Sequence, residues 1–134
     1  MARTLLTLVI GVVIATFVAG IPVFAYHSFS AYYFEEQSVT ISGEVKEFQF
    51  RNLHAILMVD AKDDEGAMRT YAAEFAGPGR LAGQGVTKDT IKPGDMVVVT
   101  GSPGRNASEY KIHLKSVQRP SDGWSWGGGR GRRR

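Results

Sequence analysis

Apolar residues occur in one long run near the start of the chain and in short runs after it. The long run covers residues 5–25 and contains no charged residue. The short runs lie at residues 39–45, 54–60, 68–75, 96–100 and 110–117. Runs of this length, several of them with alternating apolar and polar positions, predict five β-strands.

The first predicted strand contains a change in its alternation. The apolar residues up to Val45 share one parity, whereas the next ones, Phe48 and Phe50, share the other. A slip of one residue predicts a β-bulge, and Gly43 is expected to help the strand bend. A long, bent first strand is what a small barrel requires.

Turn signals connect the predicted strands. Residues 63–66 (Asp-Asp-Glu-Gly) predict a hairpin turn, and residues 92–95 (Lys-Pro-Gly-Asp) predict a type II turn before the fourth strand. Residues 77–83 and 87–91 predict short helical turns, the second one capped by Thr87. Five short strands with a helical insertion between the third and fourth predict an all-β fold, a small five-stranded OB-like barrel.

The long apolar run predicts an export signal. Arg3 supplies a basic start and Val23-Phe24-Ala25 resembles a cleavage site, which favours a signal peptide over residues 1–25. The run is also long enough to cross a bilayer, so an uncleaved anchor in the inner membrane remains the alternative. We expect a periplasmic protein with a barrel domain at residues 26–120. Residues 121–134, rich in Trp, Gly and Arg, are predicted to form a disordered tail.

Composition excludes several kinds of chemistry. The chain has no cysteine, which removes disulfides, thiolate metal sites and cysteine nucleophiles. The net charge is +3, but four basic residues are arginines among the last five positions. The body of the chain therefore lacks the basic composition of a nucleic-acid binder. No motif supplies the roles that catalysis needs, and we expect no enzymatic activity.

Three residues are candidate ligands of a metal site: His27, His54 and Glu74. Cleavage after Ala25 makes His27 the second residue of the mature protein, where the amine, an amide nitrogen and the imidazole can converge on one ion. His54 precedes the second strand and Glu74 ends the third, so both are expected at one end of the barrel. Imidazole and carboxylate ligands suit copper or zinc.

The same residues also allow a structural interpretation. His54 and Glu74 are then hydrogen-bonding groups at strand ends, and Glu74 pairs with Arg51 or Arg80 because a buried carboxylate needs a partner. His113 alternates with two lysines on the expected solvent face of the fifth strand, which predicts a surface residue. The methionines on or beside strands are interpreted as core residues.

The tail is a separate candidate contact surface. Tryptophan favours the membrane–water interface, and arginine attracts anionic lipid head groups. We expect contact with a membrane or a partner protein through Trp124, Trp126, Arg130, Arg132, Arg133 and Arg134.

A set of short motifs resembles a known family. In chain order they are His27-Ser28-Phe29, Asn52-Leu53-His54-Ala55, Ala73-Glu74-Phe75 and residues 85–89 followed by 92–95. This order is similar to that of small exported bacterial proteins that carry only a domain-of-unknown-function label. The family usually has histidine where Tyr26 stands and proline where Leu53 stands. The resemblance implies an OB-type barrel over residues 26–121 but points to no particular activity.

Two functions remain open from the sequence. The first is an exported, non-enzymatic protein that binds a transition metal, copper or zinc, at one end of the barrel. The alternative is an interaction or scaffold module for a membrane or envelope protein complex, in which the histidines are structural.

Overall fold

The strands occupy the positions that the alternation predicts. The computed structural model describes residues 28–128. The chain divides into two compact units, Met1–Ala31 and Tyr32–Arg134. Described elements in chain order are α1 (Ser28–Tyr32), β1 (Val39–Gln49), β2 (Ile56–Lys62), β3 (Met68–Glu74), α2 (Pro78–Gly83), β4 (Met96–Pro103), a 3-10 turn (Ala107–Glu109), β5 (Lys111–Arg119) and β6 (Trp124–Gly127).

Five of these strands close into a barrel. β1 pairs antiparallel with β2 and β4, β2 pairs with β3, and β4 pairs with β5. A parallel pairing of β3 with β5 completes the ring. α2 lies between β3 and β4 in the chain, where the helical insertion is predicted. This topology confirms the all-β, five-stranded OB-like barrel.

Two β-bulges bend the long strands of the barrel. The register of β1 shifts between Val45 and Glu47, which confirms the bulge predicted from the parity change. The register of β4 with β5 shifts between Thr100 and Gly101, which face Ser116 and Leu114, so the extra residue, Lys115, lies on β5. Bulges increase local twist and bend, and both are needed because a ring of only five strands is strongly curved.

Two glycines lie where neighbouring strands approach most closely. A Cβ atom on Gly43 would lie 2.0 Å from the carbonyl oxygen of Asp60. On Gly101 it would lie 2.2 Å from the carbonyl oxygen of His113. Neither position accepts a side chain without a shift of the backbone. Gly43 therefore allows the close approach of β1 and β2 as well as the bend expected from sequence.

The core is formed by the inward faces of the strands and by the segment after β3. Leu57, Phe75 and Ile112 are at most 1% exposed. Leu81 on α2 and Ile91 in the loop before β4 belong to the same buried cluster. Full burial of each such side chain stabilises the fold by about 1.5–3 kcal/mol. The short helix thus contributes to the barrel core.

The predicted turns are present. Gly94 has φ 91°, and the Asp95 N–H donates to the Lys92 carbonyl at 3.1 Å, as a type II turn requires. Gly66 closes the β2–β3 hairpin with φ 82°. Thr87 accepts a hydrogen bond from the Asp89 N–H at 3.3 Å and so organises the turn at 87–91.

The prediction that the chain leaves the fold after residue 120 is wrong for residues 124–127. These residues form β6, which pairs antiparallel with β5. The Trp126 ring packs against Phe75 with centroids 4.9 Å apart, and its Nε1 donates to Gln84 Oε1 at 2.8 Å. Residues 129–134 lie outside the described part of the chain. The composition of residues 121–134 is typical of a disordered tail. Trp124 and Trp126 nevertheless pack against the barrel, because this buries part of their apolar surface.

Arg119 stabilises the turn that leads into β6. Its guanidinium donates to Asp122 at 2.8 Å and to Asp95 at 2.7 Å, and it lies 5.4 Å from the centre of the Trp124 ring. The hydrogen bond from the Lys92 N–H, and then that from Arg119, lower the pKa of Asp95 despite partial burial. The end of β5, the turn before β4 and the start of β6 therefore meet at one side chain.

We predict that Gly43→Ala destabilises the protein by about 1–3 kcal/mol, because the methyl group has to displace the β2 backbone. Urea denaturation followed by tryptophan fluorescence measures the change. Gly79→Ala is the matched control, because no atom beyond its chain neighbours and its own helix backbone lies within 4 Å of its Cβ position and alanine favours a helix. Equal stability of Gly43→Ala and the wild type would contradict the close approach.

Candidate functional site

His54 and Glu74 lie side by side where β2 begins and β3 ends. The Phe75 N–H donates to the Ala55 carbonyl at 2.8 Å, and the Ala55 N–H donates to the Ala76 carbonyl at 3.2 Å. These backbone bonds hold the segment before β2 against the end of β3. As a result, His54 Nδ1 lies 2.6 Å from Glu74 Oε1. The sequence predicts this proximity correctly.

The histidine and the carboxylate are both partly exposed. The side chain of His54 is 39% exposed and that of Glu74 is 26% exposed. A carboxylate oxygen only accepts, so Nδ1 is the donor in this hydrogen bond. That assignment directs Nε2 away from Glu74 and makes it the ring atom through which His54 would bind a metal ion.

Tyr33 completes this group from a distant part of the chain. Its hydroxyl donates to Glu74 Oε2 at 2.5 Å, and the residue is only 3% exposed. The partners of Glu74 are therefore His54 and Tyr33, and the expected pairing with Arg51 or Arg80 is wrong. Both arginines are exposed, Arg51 in the segment after β1 and Arg80 on α2, whereas Tyr33 is buried beside Glu74. We call Tyr33, His54 and Glu74 the carboxylate triad.

Backbone pairing positions Tyr33. It forms an isolated antiparallel bridge with Gly104, just after β4. The Phe34 N–H donates to the Pro103 carbonyl at 2.9 Å, and the Arg105 N–H donates to the Tyr32 carbonyl at 2.9 Å. The segment at 32–34 thus extends the pairing of β4 and brings the tyrosine ring to the junction of β3 and β5.

A second polar group lies next to the carboxylate triad. Glu35 Oε1 lies 2.7 Å from His113 Nδ1, and its Oε2 accepts from Lys115 Nζ at 2.6 Å. The Tyr33 and His113 rings have centroids 5.5 Å apart. His113 is therefore not the open surface residue that the alternation predicts, because the segment containing Tyr33 and Glu35 covers that face of β5. Its side chain is 17% exposed.

Electrostatics favour the protonation states that these contacts need. Burial, and then the hydrogen bond and charge of Glu74, raise the pKa of Tyr33 far above its ordinary value. Burial also raises the pKa of Glu35, but hydrogen bonds from Lys115 and His113 outweigh it and lower that pKa below its ordinary value. At neutral pH, Tyr33 is a donor and Glu35 is an anion.

Other residues singled out in the sequence are distributed as follows. His27 and the four tail arginines, Arg130, Arg132, Arg133 and Arg134, lie outside the described residues. Trp124 and Trp126 are half-buried on β6 and pack against the barrel. Met68 and Met96, expected in the core, are instead exposed on the barrel surface. Between residues 28 and 128, no three His, Cys, Asp or Glu side chains are grouped to hold a metal ion.

Sequence reasoning did not identify Tyr33 or Glu35 as site residues. Tyr33 is 41 positions from Glu74, and Glu35 is 78 positions from His113. The only signal was the concentration of aromatic residues at 26–38. Their contacts depend on how that segment crosses the closed barrel.

The fold and the site define a small closed β-barrel with a histidine–carboxylate–tyrosine group where two strands meet. The chain belongs to a family of unknown function (DUF6152), whose model matches residues 14–113. This match covers the whole carboxylate triad and ends within β5, before β6. It confirms membership of a domain-of-unknown-function family. No curated protein and no solved structure matches the chain significantly.

No helix within residues 28–128 is both long enough and apolar enough to span a bilayer.

We predict that Tyr33→Phe lowers the free energy of unfolding by about 1.5 kcal/mol at pH 7, because Glu74 loses a hydrogen bond. Because the folded state raises the pKa of Tyr33, the contribution of this tyrosine to the free energy of unfolding is complete below pH 10. That contribution is lost as the pH rises through the folded-state pKa. Urea denaturation at pH 7 and above pH 10 should therefore show a difference that narrows at high pH. Tyr32→Phe, at the exposed neighbouring position, is the control. A constant difference at every pH would contradict the titration.

We predict that Glu35→Gln reduces stability by up to about 1 kcal/mol at neutral pH, because its ion pair is partly exposed. The lowered pKa of Glu35 means that its contribution is present above pH 4.5 and is lost as the pH falls through the folded-state value. Acid titration of the unfolding free energy should then be less steep in the variant. Glu36→Gln, at the exposed neighbouring position, is the control. A loss of stability of the same size in that variant would contradict a specific role for Glu35.

Proposed function

We propose that this chain is an exported, non-enzymatic bacterial protein that binds a transition metal ion, copper or zinc, through His54. The observation that carries the proposal is the 2.6 Å contact between His54 Nδ1 and Glu74 Oε1. A histidine that ligates a metal usually donates its other ring N–H to a carboxylate. The carboxylate fixes the tautomer and raises the basicity of the coordinating nitrogen.

Tyr33 supports this role by fixing the carboxylate itself. Its hydroxyl donates a hydrogen bond to Oε2, the second oxygen of Glu74. Both carboxylate oxygens are thereby held, and the carboxylate group is kept from rotating away from His54. The sequence predicts Glu74 as a direct ligand, and the geometry favours a different part for it. Because both oxygens accept hydrogen bonds, Glu74 is better suited to orient His54 than to coordinate the ion.

The further donors of the proposed site come from the sequence. His27 is predicted as a ligand together with the free amine of a chain cleaved after Ala25. It lies outside the described residues, so its part in the site is a prediction from residue type and position alone. Imidazole and amine nitrogens suit copper(II) and zinc, and the absence of cysteine argues against a thiolate site.

Isothermal titration with copper(II) and with zinc tests the proposal. We expect one metal ion to bind per chain. His54→Ala should reduce the affinity for the metal at least about tenfold, because it removes the ligand. Glu74→Gln should reduce it by about 10–100-fold, because it changes only the group that orients His54. His27→Ala tests the donor predicted from sequence. His113→Gln is the matched control, because the His113 imidazole is hydrogen-bonded to Glu35, which is not part of the carboxylate triad.

The outcomes separate the two functions left open by the sequence. Unchanged affinity in both His54→Ala and Glu74→Gln would show that the proposed site is wrong. A protein that binds neither metal, but is isolated from the cell envelope with a stoichiometric partner, would favour the interaction module. The circular dichroism spectrum of each variant shows whether the barrel is retained.

A further inference from the structure

A second candidate site lies at the opposite end of β2 and β3, beside the hairpin at 63–66. A cleft of about 400 Å³ opens there between the β2–β3 hairpin and the loop that joins β4 to β5. This volume lies in the range of small-ligand clefts, about 300–1,000 Å³. The cleft is separate from the carboxylate triad, since Glu74 ends β3 whereas the hairpin precedes it.

Two tyrosines form the aromatic part of the cleft. The rings of Tyr71 and Tyr110 meet edge to face with centroids 5.5 Å apart, and both residues line the cleft. No hydrogen bond of either hydroxyl is found among the described residues. Burial, and then the negative charges of Asp63 and Asp64, raise the pKa of Tyr71, which keeps its hydroxyl protonated. The pair therefore presents ring surface and hydroxyl groups together.

The backbone at Tyr110 is held in an unfavourable conformation. Among residues 28–128, Tyr110 is the only non-glycine residue with positive φ, at φ 48° and ψ 48°. Its carbonyl accepts from the Ala72 N–H at 2.9 Å, which ties it to β3. Bulky residues rarely adopt this region, and such exceptions are concentrated at functional sites. The conformation places the Tyr110 ring against Tyr71.

Charged groups around the cleft cancel one another. The lining has three basic and three acidic residues: Lys62, Arg69, Lys111, Asp63, Asp64 and Glu65. Asp63 is already engaged by the Arg69 side chain at 2.9 Å, and Lys111 pairs with Glu109 at 2.7 Å. Arg69 also lies 5.2 Å from the centre of the Tyr110 ring. The cleft therefore selects for neither a polyanion nor a metal ion.

An extended peptide is the alternative occupant of this cleft. A peptide that adds to a sheet needs an unpaired strand edge. β3 pairs with β2 along its whole length, but its pairing with β5 begins only at Ala72, so residues 68–71 have no second strand partner among the described strands. A peptide and a saccharide are therefore compared directly in the test below. A neutral ligand with many hydroxyl groups fits the combination of aromatic surface, polar rim and zero net charge.

We propose that this cleft binds a neutral saccharide, with Tyr71 and Tyr110 as the contact residues. The ligand's apolar C–H face packs on the aromatic surface, and its hydroxyl groups bond to the tyrosine hydroxyls and to the exposed carboxylate of Asp64. The inference is independent of metal binding, because it uses none of the residues of the carboxylate triad.

NMR titration of the 15N-labelled, metal-free protein tests the inference. The probes are maltotriose and chitotriose at millimolar concentration, with tetraglycine as a neutral peptide comparator. We expect one of the trisaccharides to shift the amides of Tyr71, Tyr110 and the hairpin at 63–66, and to leave the amide of His54 unchanged. Tyr71→Ala and Tyr110→Gly should each weaken binding by roughly tenfold, as when a stacking aromatic residue is removed.

The variants distinguish lost binding from lost folding. Glycine accepts positive φ without strain, so Tyr110→Gly should remain folded while it removes the ring. Tyr32→Ala, at a tyrosine outside the cleft, should bind as the wild type does. The inference is overturned if neither trisaccharide shifts the cleft amides, if both cleft variants bind normally, or if tetraglycine produces the same shifts.

Discussion

The parallel pairing of β3 with β5 is the contact on which the rest of the structure depends. It consists of three residue pairs, Ala72 with Lys111, Ala73 with Ile112 and Glu74 with His113. Parallel strands cannot be joined by a tight turn, and here the chain passes through α2 and β4 before it returns. Ala73 and Ile112 in this pairing are buried, and the pairing covers the edges of β3 and β5 over these three residues. It also places Glu74 beside His113, where the polar groups assemble.

The segment before β1 reinforces that closure from outside the ring. Tyr33 bonds to Glu74 on β3, and Glu35 bonds to His113 and Lys115 on β5. One short stretch of chain is thereby attached to both strands that close the barrel. Throughout residues 28–128, no buried side-chain nitrogen or oxygen lacks a hydrogen-bond partner. The residues proposed to orient a metal ligand are thus also residues that stabilise the fold.

β3 connects two chemically different ends of the molecule. At its last residue, Glu74 is held between an imidazole and a phenol. Earlier in the same strand, Arg69 and Tyr71 face the cleft beside the hairpin. One end thus offers a basic nitrogen oriented by a carboxylate, whereas the other offers aromatic surface without net charge. The barrel thus separates the two proposed sites, which share no contact residue.

The sequence by itself determined the five barrel strands, the turns and the class of fold. Period-two alternation, the parity change after Val45 and the Pro93-Gly94 turn are local signals, because they depend on backbone geometry over a few residues. The OB-like barrel was also accessible, since five short strands with a helical insertion between the third and fourth are its chain order. From the same signals, His54 and Glu74 were expected at one end of the barrel, and the structure places them in contact.

Only the tertiary structure decided which side chains surround that pair. Tyr33 reaches Glu74 because residues 32–34 pair beside the end of β4, and Glu35 covers His113 for the same reason. β6 forms because Trp126 packs against Phe75 and donates a hydrogen bond to Gln84 at the barrel surface. Contacts of this kind join residues dozens of positions apart, and each depends on the curvature and register of the closed sheet. Those properties arise from the whole ring of strands, so no local pattern in the sequence contains them.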